Sequence, residues 1–149
     1  MAEDPLKEQS AKLLAALDFA SQAAALEEEH EQRLLGLLRS LFEVVDSFDR
    51  LLTGGGGTEA GAGEGAWRGT VQRIAGQLER ALEQAGVTEI RCLGTVADPG
   101  HHEIVEVQPM DGVDDDTILE VLSRGWEWNG RPVRRPRVLV ARSPKEIRT

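Results

Sequence analysis

The stretch Leu34-Leu-Gly-Leu-Leu-Arg-Ser-Leu-Phe-Glu-Val-Val-Asp-Ser-Phe-Asp-Arg-Leu-Leu52 decides the fold. Apolar residues recur at Leu34, Leu38, Leu41, Val45, Phe48 and Leu52, in alternating steps of four and three that draw a seam along an α-helix. Leu35, Leu37, Phe42, Val44 and Leu51 flank the seam, so the stripe is wider than a two-stranded coil requires and suits a bundle. Extended backward, the register lands on Ala24, Ala20, Leu17, Leu13 and Leu6. It breaks at Glu27 and Glu31, inside the run Glu27-Glu-Glu-His-Glu31, which reads as a solvated face. Residues 6–52 hold no Pro and a single Gly, Gly36, and are rich in strong helix formers. At ~1.5 Å per residue such a helix reaches on the order of 65–70 Å, too long for one small globule to bury. Residues 1–52 are therefore predicted to dimerise, with Leu34, Leu38, Leu41, Val45, Phe48 and Leu52 as the dimer interface.

Outward from this helix the composition changes twice. Residues 53–66 are dominated by Gly and read as a linker. A phosphate-cradling loop would need a Lys followed by Ser or Thr after its last glycine, and here Trp67 and Arg68 follow. Residues 67–85 predict a second, bundle helix, with Trp67, Val71, Ile74, Leu78, Leu82 and Ala85 on one face and Gly86 as its stop. Beyond Gly86, short aliphatic runs at 87–93, 104–107, 118–122 and 138–140 are punctuated by Asp98-Pro-Gly100, Pro109, Asp111-Gly112 and Asn129-Gly130. These predict a small antiparallel β-domain over 86–143 and a tail over 144–149. The expected class is α+β: a long dimerising helix, a short bundle helix and a small C-terminal β-domain.

The 149 residues carry 26 Asp and Glu against 17 Lys and Arg, a formal charge of -9. That balance opposes general nucleic-acid binding, which needs a basic face. The cations are not evenly spread: Arg131, Arg134, Arg135, Arg137, Arg142, Lys145 and Arg148 crowd the end against one acid, Glu146. The single cysteine, Cys92, excludes an intrachain disulfide and suits a reducing compartment. The apolar runs are too short for a membrane span, and the first residues are acidic where a signal peptide would be basic, so a cytoplasmic protein is expected.

Enzyme chemistry finds little footing. His101 and His102, with Glu103 and Asp98 nearby, are adjacent side chains that point to opposite faces of an extended segment and do not share an ion easily. The cluster Asp111, Asp114, Asp115 and Asp116 lacks the spacing of a calcium loop. Ser123 and Ser143 sit in no nucleophile-elbow sequence. Neither an enzymatic activity, a cofactor nor a metal is expected.

Four segments in order resemble the GrpE family, the nucleotide exchange factors of DnaK-type chaperones. Leu41-Phe-Glu-Val-Val-Asp-Ser-Phe-Asp-Arg-Leu-Leu52 resembles the end of the family's long helix. Gly86-Val-Thr-Glu-Ile90 is similar to the start of its β-domain, and Ala97-Asp-Pro-Gly-His-His-Glu103 to its Asp-Pro-Asn-x-His-Glu loop. The strongest likeness is Ile118 to Arg142, with a Gly-aromatic step, an Asn-Gly-Arg turn, an Arg-Pro pair and a Val-rich last strand. Gly100 in place of Asn, the pair Trp126 and Trp128, the basic run Arg134-Arg-Pro-Arg137 and the glycine linker mark a divergent member.

The resemblance implies a co-chaperone that binds the nucleotide-binding domain of a DnaK-type chaperone and holds its cleft open so that ADP leaves. It implies a homodimer, with no nucleic acid and no membrane as partner. Arg131, in the turn with Asn129 and Gly130, matches a chaperone-contacting position, and Val140 a nearby strand position that is either on the surface or in the core. Pro99 and His102 match the family loop, where Pro99 directs the chain and His102 either makes a structural hydrogen bond or meets the partner. Trp126 and Trp128 are either interface anchors or β-domain packing. The competing reading is a dimeric scaffold or adaptor with this fold and no exchange activity.

Overall fold

The computed structural model describes residues 4–54 and 62–147. Residues 55–61 of the predicted linker and 148–149 of the predicted tail, Arg148 among them, lie outside the described residues. Two compact units divide the chain, one ending at Ser40 and the other starting at Leu41.

Helix α1 runs Pro5–Thr53. Asp4 caps it: its carbonyl accepts from the Lys7 amide and its carboxylate from the Leu6 amide at 3.2 Å, while Pro5 occupies the first turn, where no donor is needed. The helix closes with Thr53 Oγ1 donating to the Asp49 carbonyl at 2.7 Å and the Gly54 amide to that of Arg50 at 2.8 Å. Helix α2 runs Ala62–Gln84 and begins five residues before the apolar pattern at Trp67. Gly86, at φ +87°, ends it in the left-handed conformation that glycine adopts without a steric penalty.

Six strands follow: β1 Val87–Ile90, β2 Glu103–Pro109, β3 Ile118–Ser123, β4 Gly125–Trp128, β5 Arg131–Arg134 and β6 Arg137–Arg142. They form two three-stranded sheets, ordered β1-β4-β5 and β2-β6-β3. The first sheet is antiparallel throughout. The second adds one parallel pair to the expected antiparallel β-domain: β6 lies antiparallel to β3 but parallel to β2. Three strands separate β2 from β6 in sequence, long enough for the crossover that a parallel pair requires. A short helix α3, Pro144–Ile147, follows β6.

Two sets of apolar side chains are withdrawn from solvent. Cys92, Ala97, Ile118, Val138 and Val140 make one cluster, with Ile104 and Val121 packed against it. Phe42, Val45, Leu82, Val87 and Trp126 are also buried, and the rings of Phe42 and Trp126 stack.

Candidate functional site

The turn between β4 and β5 is built by Asn129 and Gly130, at φ 50° and 80°. Two successive positive φ values match the right-handed twist of the flanking strands, and Trp128 pairs with Arg131 across the turn. The turn is anchored to the end of α2: the Asn129 amide donates to the Gly86 carbonyl at 3.0 Å and Trp128 Nε1 to the Ala85 carbonyl at 3.2 Å. Arg131, Asn129 and Gly130 are exposed on this fixed turn.

A second exposed feature is the loop at 98–102. One carboxylate oxygen of Asp98 accepts from the Gly100 amide at 3.0 Å, and the other lies 2.7 Å from His101 Nδ1. These bonds, the Gly100 amide foremost, hold the Asp98 carboxyl below its ordinary pKa. His102 Nδ1 accepts from the Asp98 amide at 2.9 Å, so one face of this half-buried ring is committed to the loop. Pro99 is exposed, and its carbonyl accepts from Arg135 Nη1 at 3.2 Å. Among the described residues no three His, Cys, Asp or Glu side chains gather as a metal site.

Two predicted contact residues are not on the surface. Val140 is 0% exposed because β6 is the middle strand of its sheet and this side chain points into the cluster around Ile118. Trp126 is 3% exposed, stacked on Phe42 with ring centroids 5.3 Å apart. Both serve packing, and neither is available to a partner.

Of the six positions expected as the seam on α1, Leu38 and Val45 are buried. Val45, within the second unit, is 2% exposed and packs inside the chain. Before Ser40 the exposed large apolar residues are Leu6, Leu13, Leu14, Leu17, Phe19, Leu26, Leu34 and Leu37; after it on α1 they are Val44 and Leu51, with Leu41, Phe48 and Leu52 half-buried. The outward apolar positions after Ser40 are thus Val44 and Leu51, which neighbour Val45 and Leu52 of the expected seam.

Sequence reasoning missed a cluster of charge between the end of α1 and the first sheet. Arg134 gives two parallel hydrogen bonds to Asp46, both 2.8 Å, and its Nη2 also donates to the Arg124 carbonyl at 2.7 Å. Arg124 in turn gives two bonds of 2.9 Å to Asp49 and one of 2.6 Å to Glu79 on α2. Burial acts to lower the Arg124 pKa, but the bonds and charges of Asp49 and Glu79 outweigh it and drive it up. Each guanidinium lies over one of the stacked rings, Arg134 over Phe42 at 5.4 Å and Arg124 over Trp126 at 5.1 Å. The available signal was the pair Asp46 and Asp49, one turn apart beside the apolar stripe.

The family model for GrpE matches residues 4–142. The chain belongs to the GrpE family. Three similar relatives, each called Protein GrpE, come from Prochlorococcus marinus (strain MIT 9211), Thermotoga maritima and Methanosarcina mazei. The first is 38% identical over 109 residues, covering 72% of this chain and 42% of the relative. The second is 34% identical, covering 74% and 60%, and the third 31% identical, covering 95% and 68%. The chain thus spans about half the length of the first curated relatives it matches. Both the Asn129-Gly130 turn and the loop at 98–102 fall within the GrpE match. No helix among the described residues is long and apolar enough to cross a membrane.

Proposed function

We propose that this chain is a nucleotide exchange factor: a homodimeric co-chaperone that binds the nucleotide-binding domain of a DnaK-type chaperone and promotes ADP release by holding its cleft open. Membership of the GrpE family supports the role. The observation that carries the contact is the exposed Arg131 on a turn whose backbone is fixed at Asn129 and Gly130 and tied to α2. A guanidinium on such a turn can meet a partner carboxylate with paired, charge-assisted bonds. Asn129, Gly130, Pro99 and the open face of His102 complete the proposed surface. The factor forms and breaks no covalent bond. It binds the open, nucleotide-free state more tightly than the closed one, so factor and ADP weaken each other's binding by the same factor.

The homodimer is supported by the outward apolar positions of α1, which water would otherwise cover. The cytoplasm is the proposed compartment. The deciding measurement is release of a fluorescent ADP analogue from a DnaK-type chaperone of the same organism, with and without the chain. Acceleration that falls at least ~10-fold in Arg131→Ala supports the reading, in keeping with the loss of a charged interface anchor. A stable dimer with no acceleration favours the scaffold reading instead.

A further inference from the structure

We infer that Asp46–Arg134 and Asp49–Arg124–Glu79 are positioning pairs that stiffen the proposed contact turn against the helices, and so decide how much of the binding energy goes into discriminating between partner states. The inference rests on the exchange-factor reading above.

Strand β5 carries Arg131 at one end and Arg134 at the other. Three strand steps, about 10 Å, separate the residue proposed to touch the partner from the residue locked to α1. Arg134 has no slack: Nη1 and Nη2 are bonded to Asp46, and Nε and Nη2 to the Arg124 carbonyl. Through that carbonyl the first pair is joined to the second, where Arg124 spans Asp49 of α1 and Glu79 of α2. Arg124 Nη1 also lies 3.6 Å from Glu89 of β1. The sheet bearing the turn is therefore pinned to both helices by fork-shaped cations, whose paired bonds fix direction as well as distance. Arg134 and Asp46 are 24% and 23% exposed, which shields that pair from water more than a surface ion pair is shielded, while Arg124, itself 18% exposed, meets the more open carboxylates of Asp49 and Glu79.

A ligand shifts an equilibrium only by the difference in its affinity for the two states. A compliant contact surface would follow a partner into both the closed and the open state, bind each, and discriminate little. A stiff one fits only the open state. Softening the pins should thus reduce discrimination far more than affinity.

The test measures the affinity of the full chain for the nucleotide-free and for the ADP-bound chaperone, in wild type and in Asp46→Asn, which keeps shape but loses the charge. The expected result is a fall of at least ~5-fold in the ratio of the two affinities, with less than ~3-fold loss of affinity for the nucleotide-free form. The double exchange Asp46→Arg with Arg134→Asp should restore part of the ratio. A ratio kept within about twofold overturns the inference, as do equal losses in both affinities. Near-UV circular dichroism of the Phe42–Trp126 stack monitors folding. If Asp46→Asn loses that signal, Asp49→Asn, which leaves Arg134 paired, decides by the same criteria, and loss of the signal there too assigns the pairs to folding alone and overturns the inference. A wild-type chain with no preference between the two chaperone states overturns the exchange-factor reading itself.

Discussion

Phe42 of α1 and Trp126 of β4 stack with their ring planes 2° from parallel, joining the end of the long helix to the first sheet. Trp126 Nε1 has no hydrogen-bond partner among the described residues, so the pairing is held by ring contact and the flanking guanidiniums. Phe42→Ala should therefore cost ~3–5 kcal/mol by removing a fully buried ring. Trp126→Phe should cost less than half of that, because it also removes a buried donor whose desolvation is uncompensated. Urea unfolding of the two variants measures the difference.

At Gly125 a methyl group would overlap the backbone nitrogen and ring of Pro136 and stand 3.0 Å from the Arg134 carbonyl. Gly125→Ala must push β4 off its neighbour and should lose about 2 kcal/mol or more. Gly36, inside α1, meets nothing within 4 Å. Gly36→Ala should gain up to ~1 kcal/mol from helix propensity alone. Opposite shifts in the urea midpoint are expected.

Burial, with a further contribution from Glu89, pushes the Cys92 thiol above its ordinary pKa. A thiol raised in the folded state favours folding below the unfolded value, about 8.5, and that contribution disappears as pH climbs through the folded value. Stability should therefore decline on the alkaline side, and Cys92→Ala should flatten that decline. The thiol should react slowly with a disulfide reagent at pH 8 until the chain is unfolded. Denaturation curves between pH 7 and 10 provide the check.

Neighbouring residues on α1 should separate association from folding. Val44→Asp with Leu51→Asp places charge on the outward stripe and should yield a folded monomer by analytical ultracentrifugation at tens of micromolar. Val45→Ala should lower the unfolding free energy by ~1–3 kcal/mol and leave association unchanged, since that side chain is spent inside the protomer. A dimer persisting in the double Asp variant would refute the proposed stripe.

The long helix was legible because its apolar period is unbroken from Leu34 to Leu52. Which half of that wide stripe faces inward was not, because Leu37 and Leu38, Val44 and Val45, and Leu51 and Leu52 offer equal hydrophobicity to either side. Strands β4 and β5 escaped notice since Gly125-Trp-Glu-Trp128 and Arg131-Pro-Val-Arg134 are not aliphatic runs. The turn between them was readable from Asn129-Gly130 alone, whose conformation is a local property. Asp46 and Arg134 stand 88 residues apart, and nothing in the chain near either one announces the other. Val140 was undecidable because a Val in a last strand fits an edge as well as a centre.

The placement of β6 governs the order in which this half of the molecule can be made. It is the latest strand of the six, yet it lies between β2 and β3, which do not pair with each other. On a ribosome, β2 and β3 emerge before the strand that unites them, and their ladder edges wait open until Arg137–Arg142 follows. Helix α1, which needs only its own neighbours for its hydrogen bonds, can form as it appears. The nascent chain thus carries a finished helix ahead of an unfinished sheet, and it is during that interval that unpaired strands are exposed to wrong company.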